Sequence, residues 1–156
     1  MRKLRHLLWP LLFLAAPALA CKCVPPRGSD AERAGYGFVE HALVGVMEVT
    51  QVDRKGVVAG VHQRGLVELT LRENFKGSWL PNRPYLASAT PTSCSVDAKL
   101  GELWLVYADA SDALVLTQCS KSAPLLQRLG QIGTLFDLRE RAKARAEGRP
   151  VKPLKP

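Results

Sequence analysis

The first twenty residues decide the compartment in which the rest of the chain folds. A basic start at residues 1–6 precedes an apolar run at residues 7–16, and Ala18, Leu19 and Ala20 form an Ala-x-Ala cleavage site. The apolar run is about half as long as the roughly 20 residues that a membrane-spanning helix needs. We therefore predict a signal peptide at residues 1–20, a secreted or periplasmic mature protein, and Cys21 as its first residue.

Attachment of lipid to Cys21 is the alternative fate of this N-terminus. Bacterial lipoprotein signals usually have Leu or a similar residue three positions before the cysteine, whereas this chain has Ala18 there, preceded by Pro17. A thioether on Cys21 would anchor the protein in the cell envelope and would remove that sulfur from any disulfide. Contact with a membrane is expected only in that case.

All 4 cysteines, Cys21, Cys23, Cys94 and Cys119, follow the signal peptide. An even count in an oxidising compartment predicts two disulfides, with three possible connectivities. A bridge between Cys21 and Cys23 would close a strained ring, so we expect each of them to pair with a distant cysteine. A zinc site of four thiolates is the alternative. Such sites usually have two close cysteine pairs, whereas Cys94 and Cys119 stand alone.

The formal net charge of +8 is concentrated at the two ends of the chain. Arg2, Lys3 and Arg5 lie in the signal peptide, and residues 137–156 contain seven basic and three acidic residues. The body of the protein, residues 21–136, is therefore nearly neutral. A groove that follows a phosphate backbone needs basic residues on the folded surface, so we expect no nucleic-acid partner.

Five segments of the mature chain have the pattern of β-strands, and none is separated from the next by a β-α-β crossover helix. Residues 41–53 are rich in β-branched residues and contain Gly45, which predicts a bulge. Residues 66–72 alternate between apolar and polar side chains, as a half-buried strand does. This spacing predicts a mainly β fold, a closed or half-closed antiparallel barrel. The five predicted strands are residues 41–53, 66–72, 85–90, 103–108 and 113–119.

Two helices are predicted to flank these strands. Ser29 and Glu32 have the spacing of a capping box, which predicts a short N-terminal helix. Ser122 is a candidate N-cap for a C-terminal helix, whose buried stripe we expect to consist of Leu125, Leu129, Ile132 and Phe136. We assign residues 21–136 to one domain. Residues 137–156 form a charged helical or disordered tail, of which residues 139–156 lack a periodic apolar stripe and are expected to add little to the stability of the core.

Enzyme chemistry has no candidate motif in this chain. The mature protein contains only two histidines, His41 and His62, and it has none of the common metalloprotease, hydrolase, phosphate-binding or calcium-binding motifs. We interpret both histidines as structural or solvent-facing, and we expect Trp79 and Trp104 to lie in the core. The sequence therefore predicts a protein that is not an enzyme and that uses no cofactor.

The opening Cys21-Lys22-Cys23-Val24-Pro25-Pro26, at the predicted cleavage point, resembles the N-terminus of the tissue inhibitors of metalloproteinases. That family consists of netrin-like modules built on a five-stranded OB-type barrel. The resemblance extends over residues 21–135 through motifs in the same order. These motifs are Leu43-Val44-Gly45-Val46, Asn74-Phe75-Lys76-Gly77, Cys94, the strand from Gly101 to Tyr107, and Thr117-Gln118-Cys119.

The resemblance implies a set of disulfides and a protease-binding ridge. The family pattern would pair Cys21 with Cys94 and Cys23 with Cys119. In family members the free α-amino group and the carbonyl oxygen of the first cysteine chelate the catalytic zinc of the protease, and Cys21 has that position here. The implied partner is a zinc metalloproteinase. Its contacts would come from Cys21, Lys22, Cys23, Val24 and Pro25, and from Thr92, Ser93 and Cys94.

This chain differs from the family pattern at three points. It has no third disulfide in the barrel and no cysteine-rich C-terminal domain, and Lys22 stands where inhibitors have a small residue such as Thr or Ser. An ammonium group in an apolar specificity pocket would pay a desolvation cost. A non-inhibitory protein-binding module of the same fold, in the envelope or outside the cell, therefore remains the alternative function.

Overall fold

The computed structural model describes residues 27–53, 65–89, 96–111, 114–117 and 119–151. The predicted signal peptide lies outside the described residues. The fold is mainly β, with a six-stranded, nearly closed barrel-shaped sheet and two helices. Helix α1 covers Asp30–Glu40 and helix α2 covers Leu129–Ala146. The strands are β1 (Leu43–Asp53), β2 (Gly65–Lys76), β3 (Pro84–Ala89), β4 (Leu103–Ala108), β5 (Leu114–Leu116) and β6 (Ala123–Pro124).

The sheet has the strand order β5-β3-β2-β1-β4-β6. The prediction of five strands is therefore wrong by one. The sixth strand, β6, pairs only Ala123 and Pro124 with β4, and two residues are too few to produce an alternating pattern. The sheet also departs from the expected antiparallel arrangement, because β3 and β5 are parallel. Strand β4 lies next to β1, and the chain then crosses to the opposite border of the sheet, where β5 pairs with β3.

The long central strand β1 pairs with β2 on one side and with β4 on the other. Its register against β2 shifts between Val44 and Gly45, so the predicted irregularity at Gly45 is confirmed. A Cβ at position 45 would stand 2.9 Å from the carbonyl oxygen of Glu73 on β2. Only glycine allows the two backbones to approach this closely.

Two apolar clusters lie on opposite faces of the sheet. Strand β4 contributes to both, since Trp104 and Val106 belong to the barrel interior while Leu105 and Tyr107 face the helices. All five residues after Leu103 in β4 are buried, which explains its unbroken apolar sequence. Trp79 and Trp104 are both buried in the barrel interior, as predicted.

The predicted capping box begins helix α1. The backbone N–H of Glu32 donates to Ser29 Oγ, and the backbone N–H of Ser29 donates to Glu32 Oε2 over 2.7 Å. Because the N–H of Ser29 and its hydroxyl both reach Glu32, the pKa of that exposed carboxyl is lowered. The prediction of a short N-terminal helix is confirmed.

The C-terminal helix begins later than predicted, and only two of the four residues of the predicted stripe, Leu125 and Ile132, pack against the apolar cluster beneath the helices. Ser122 is not its N-cap; the backbone N–H of Tyr107 donates to Ser122 Oγ over 3.0 Å. A short 3-10 turn at Leu125–Gln127 precedes α2, so the helical phase starts anew at Leu129. Leu129 is 57% exposed and Phe136 is 38% exposed, whereas Leu135 is fully buried.

Helix α2 is continuous across the predicted boundary between residues 136 and 137. Arg139 lies on this continuation, and its Nη1 contacts Glu73 Oε1 and donates to the carbonyl of Asn74 over 3.1 Å. The helical part of the charged tail is therefore in contact with strand β2. Within the described ranges, no helix has both the length and the apolar character that crossing a membrane requires.

Candidate functional site

The protease-binding residues predicted from the sequence lie outside the described residues. They are Cys21, Lys22, Cys23, Val24, Pro25, Thr92, Ser93 and Cys94. Of the predicted disulfide cysteines, only Cys119 is described. It lies exposed in the turn after β5 and is disulfide-bonded, and its partner is not among the described residues.

The described neighbours of these cysteines converge on one region of the barrel. Arg27, four residues after Cys23, lines a cavity together with Lys121, two residues after Cys119. Val96, two residues after Cys94, lines a second cavity together with Thr117 and Ser120. Both cavities contain Arg128, so they adjoin one another. The described residues that follow the two predicted ridge segments, and those that flank Cys119, therefore line adjoining cavities.

The first cavity, which we call the basic cavity, lies between α1, β4 and the start of α2. It has a volume of about 230 Å³. Helix α1 supplies Arg33, Tyr36 and Glu40, and the other lining residues come from elements distant in the sequence. The lining residues that belong to the described ranges are Arg27, Arg33, Tyr36, Glu40, Tyr107, Lys121, Arg128 and Gln131.

Among these described lining residues, four are basic and one is acidic. Lys121 Nζ forms an ion pair with Glu40 Oε2, and Arg33 Nη2 forms one with Asp30 Oδ1 at 2.8 Å. Within the described residues, Arg27 and Arg128 have no carboxylate partner. Arg128 Nε is buried and has no hydrogen-bond partner among them. This enclosed atom is out of reach of the cavity, so the charges of Arg27 and Arg128 in the described lining are what an anionic ligand would meet.

The tyrosine hydroxyl at the floor of the cavity is held in its neutral form. Tyr107 Oη donates to Gln131 Oε1 over 2.9 Å, and both side chains are buried. Burial raises the pKa of Tyr107 to about 12, although the nearby Arg128 guanidinium acts in the opposite direction. The positive charge of the cavity is therefore not neutralised by a tyrosinate at ordinary pH.

The second cavity is larger and more polar, and we call it the polar cavity. Its volume is about 590 Å³. On one wall, the Glu102 carboxylate accepts from Trp104 Nε1 over 2.9 Å and from the backbone N–H of Lys99 over 3.2 Å. On another, the backbone N–H of Ser120 donates to Thr117 Oγ1 over 3.0 Å, which fixes the turn that contains Cys119.

The described linings of the two cavities do not form a metal centre. Groups of three or more His, Cys, Asp or Glu side chains that could bind a metal do not occur in the described part of the chain. His41 instead contacts other side chains. Its Nδ1 lies 2.9 Å from Asp109 Oδ1, and its ring centroid lies 5.8 Å from that of Tyr107. His62 lies outside the described residues.

The basic cavity was not predicted from the sequence. Its charged and hydrogen-bonding residues come from the segment before α1, from α1, β4 and the β5–β6 connection, and from the N-cap and first turn of α2, and no local motif relates them. The predicted neutrality of the domain describes the sum of its charges and not their distribution in space. Comparison with known proteins gives no further guidance, since no protein-family model and no curated protein matches this sequence.

Proposed function

We propose that the mature protein is an exported netrin-like module, built on an OB-type barrel, that inhibits zinc metalloproteinases through its N-terminus. The α-amino nitrogen and carbonyl oxygen of Cys21 would replace the water on the catalytic zinc of the protease. Cys23, Val24 and Pro25 would form one part of the contact ridge, and residues 92–94 the other.

The observation that carries this proposal is that Arg27 and Lys121 line the same cavity. Four residues of extended chain span at most about 14 Å, so Cys23 is tethered within that distance of Arg27. Cys119 is exposed, is disulfide-bonded and lies two residues before Lys121. A bridge between Cys23 and Cys119 is therefore within reach of the chain and would hold the N-terminus at this end of the barrel.

The second bridge of the proposal involves Cys94. Val96 and Ser120 line the polar cavity, so the segment that follows Cys94 approaches the turn of Cys119. Pairing of Cys21 with Cys94 would bring residues 92–94 beside the N-terminal segment. The two bridges together would fix the chelating atoms before binding, which reduces the entropy lost when the complex forms.

The proposed chelation requires a free and neutral amine. An α-amino group has a pKa of about 8, so it must lose a proton to bind zinc near neutral pH. Inhibition should consequently become stronger as the pH rises from 6 to 8. Lipid on Cys21 would leave no such amine, so the mass of the mature N-terminus is the first measurement to make.

The test compares the mature protein with a form that carries one additional Ala before Cys21. The extension converts the amine into a peptide nitrogen, whose lone pair is delocalised into the carbonyl group and does not bind zinc, and leaves every other residue in place. A form with one additional Ala after Pro156 is the matched control. Residual hydrolysis of a fluorogenic peptide by a panel of zinc metalloproteinases is the readout.

We expect the native and C-terminally extended forms to inhibit, and the N-terminally extended form to have no effect. Lys22→Thr should strengthen inhibition of proteases with apolar specificity pockets, because it removes a charge that must be desolvated. Equal inhibition by all forms would disprove chelation through Cys21. If no form inhibits any protease, the non-inhibitory binding module becomes the better proposal, and the basic cavity is the observation that favours it.

A further inference from the structure

We infer that the basic cavity is a binding site for a carboxylate attached to an aromatic or aliphatic group of about the size of one amino-acid residue. This inference goes beyond the proposed inhibitory function and does not depend on it. It uses only described residues, and none of them belongs to the predicted protease-binding ridge.

The charge of the site argues for an anionic ligand. Lys121 pairs with Glu40 and Arg33 with Asp30, and among the described residues no carboxylate pairs with the guanidinium groups of Arg27 and Arg128. Both side chains line the cavity, and they leave its described lining with a net positive charge. A guanidinium presents parallel donors that match the two oxygens of a carboxylate, and charge-assisted bonds of this kind are among the strongest in proteins.

The size and walls of the cavity argue for a small ligand with an apolar part. Its volume of about 230 Å³ is below the range of roughly 300–1,000 Å³ that is usual for drug-sized ligands. The side chains of Tyr36 and Tyr107 form part of the wall and provide aromatic surface beside the charges. Tyr36 is 65% exposed, which places aromatic surface at the open side of the cavity.

The ligand could be a free organic acid or the C-terminal residue of a polypeptide, since both offer the same chemistry. The test uses N-acetylphenylalanine as the small probe and a hexapeptide with C-terminal Phe as the peptide probe. Each has an uncharged control, N-acetylphenylalaninamide and the peptide amide. Acetate and inorganic phosphate serve as anions without an apolar part. Binding to the mature protein is measured by calorimetry and by chemical shifts in NMR spectra.

We expect N-acetylphenylalanine to bind at least about tenfold more tightly than its amide, because the amide cannot form the charge-assisted bonds. Acetate and phosphate should bind about tenfold more weakly, because they bury no apolar surface. If the peptide acid binds as well as the small acid, a polypeptide C-terminus is the source; if only the small acid binds, a free organic acid is. Either result supports the site.

Variants assign the binding to the cavity. Arg128→Gln should weaken binding by about tenfold, Arg128→Lys should weaken it less, and Arg83→Gln, in an exposed turn outside the cavity lining, should not change it. Circular dichroism and the thermal midpoint establish that each variant is folded. Should Arg128→Gln not fold, Arg27→Gln at the rim replaces it with a smaller expected loss. Equal binding of acid and amide, binding that both cavity variants leave unchanged, or no binding of either acid would overturn the inference.

Discussion

Gly37 of helix α1 lies directly against the ring of Tyr107 on strand β4. A Cβ at position 37 would stand 2.5 Å from Tyr107 Cε1, which is closer than two carbon atoms can approach without displacement. The same tyrosine contacts Gln131 of α2 through its hydroxyl. One side chain of the sheet thus determines how closely both helices pack, and through them the shape of the basic cavity.

Gly37→Ala should destabilise the protein by about 1–3 kcal/mol, the usual cost of inserting a methyl group into a packed interior. Gly35→Ala is the matched control, because it makes the same change two residues earlier in α1, where a Cβ would meet no atom within 4 Å. There, the better helix propensity of Ala should stabilise by up to about 1 kcal/mol. Urea unfolding of both variants measures the difference, and equal effects would contradict the packing described here.

Tyr107 should titrate at an unusually high pH. Its pKa is raised in the folded protein to about 12, from a usual 10.0, mainly because burial disfavours the phenolate. The unfolded chain therefore loses this proton first, so the contribution of Tyr107 to stability is complete below pH 10 and is lost as the pH rises toward 12. Near-ultraviolet absorbance should detect a late tyrosinate step that is absent in Tyr107→Phe. Identical alkaline titrations of the two proteins would show the assignment to be wrong.

Arg139 should contribute to stability although it lies in the charged tail. It contacts Glu73, donates to the carbonyl of Asn74, and lies 4.8 Å from the ring centroid of Phe136. Because these groups are partly exposed, Arg139→Ala should cost only about 1 kcal/mol. Arg145→Ala, at an exposed position of the same helix, should change stability by less than about 0.5 kcal/mol. The denaturant midpoints of the two variants measure this difference. Equal midpoints would mean that the contacts of Arg139 with β2 do not stabilise the protein.

Ser29→Ala should destabilise helix α1 by about 1 kcal/mol, because it removes the acceptor for the N–H of Glu32. Ser78→Ala, an exposed serine outside any helix, is the control and should be nearly neutral.

The capping box should also make stability depend on pH. The folded state lowers the pKa of Glu32, so its contribution is complete above its usual value near 4.5 and is lost as the pH falls through the lowered pKa. Glu32→Gln should therefore lose less stability than the native protein on acidification. The free energy of unfolding of both proteins is measured as a function of pH. The same slope for both below pH 4.5 would contradict the hydrogen bond between Ser29 and Glu32.

Features encoded by neighbouring residues could be predicted from the sequence. The capping box of Ser29 and Glu32 involves positions three apart, and the irregularity at Gly45 follows from one glycine in a β-branched segment. The phase of α2 could not be predicted in the same way. Leu125 belongs to a 3-10 turn and Leu129 begins α2, so the helical spacing of apolar residues in the sequence runs across a break between two helical segments.

The basic cavity could not be predicted because its residues meet only in the folded chain. Arg33 and Arg128 are 95 positions apart, and neither belongs to a motif. The opposite holds for the N-terminal ridge at Cys21–Pro25, which has a recognisable local pattern and lies outside the described residues. The ridge therefore remains a prediction, and mapping of the disulfides under non-reducing conditions would test its two bridges directly.

The proline in β6 has a consequence for how the protein behaves among many copies of itself. Strands β5 and β6 form the two borders of the sheet, with three and two residues. Pro124, which pairs with Trp104, has no amide hydrogen to offer to a further strand. Borders this short, one of them ending in proline, are poor templates for β-sheet growth. We therefore expect copies of this protein at high concentration to associate little through the borders of the sheet.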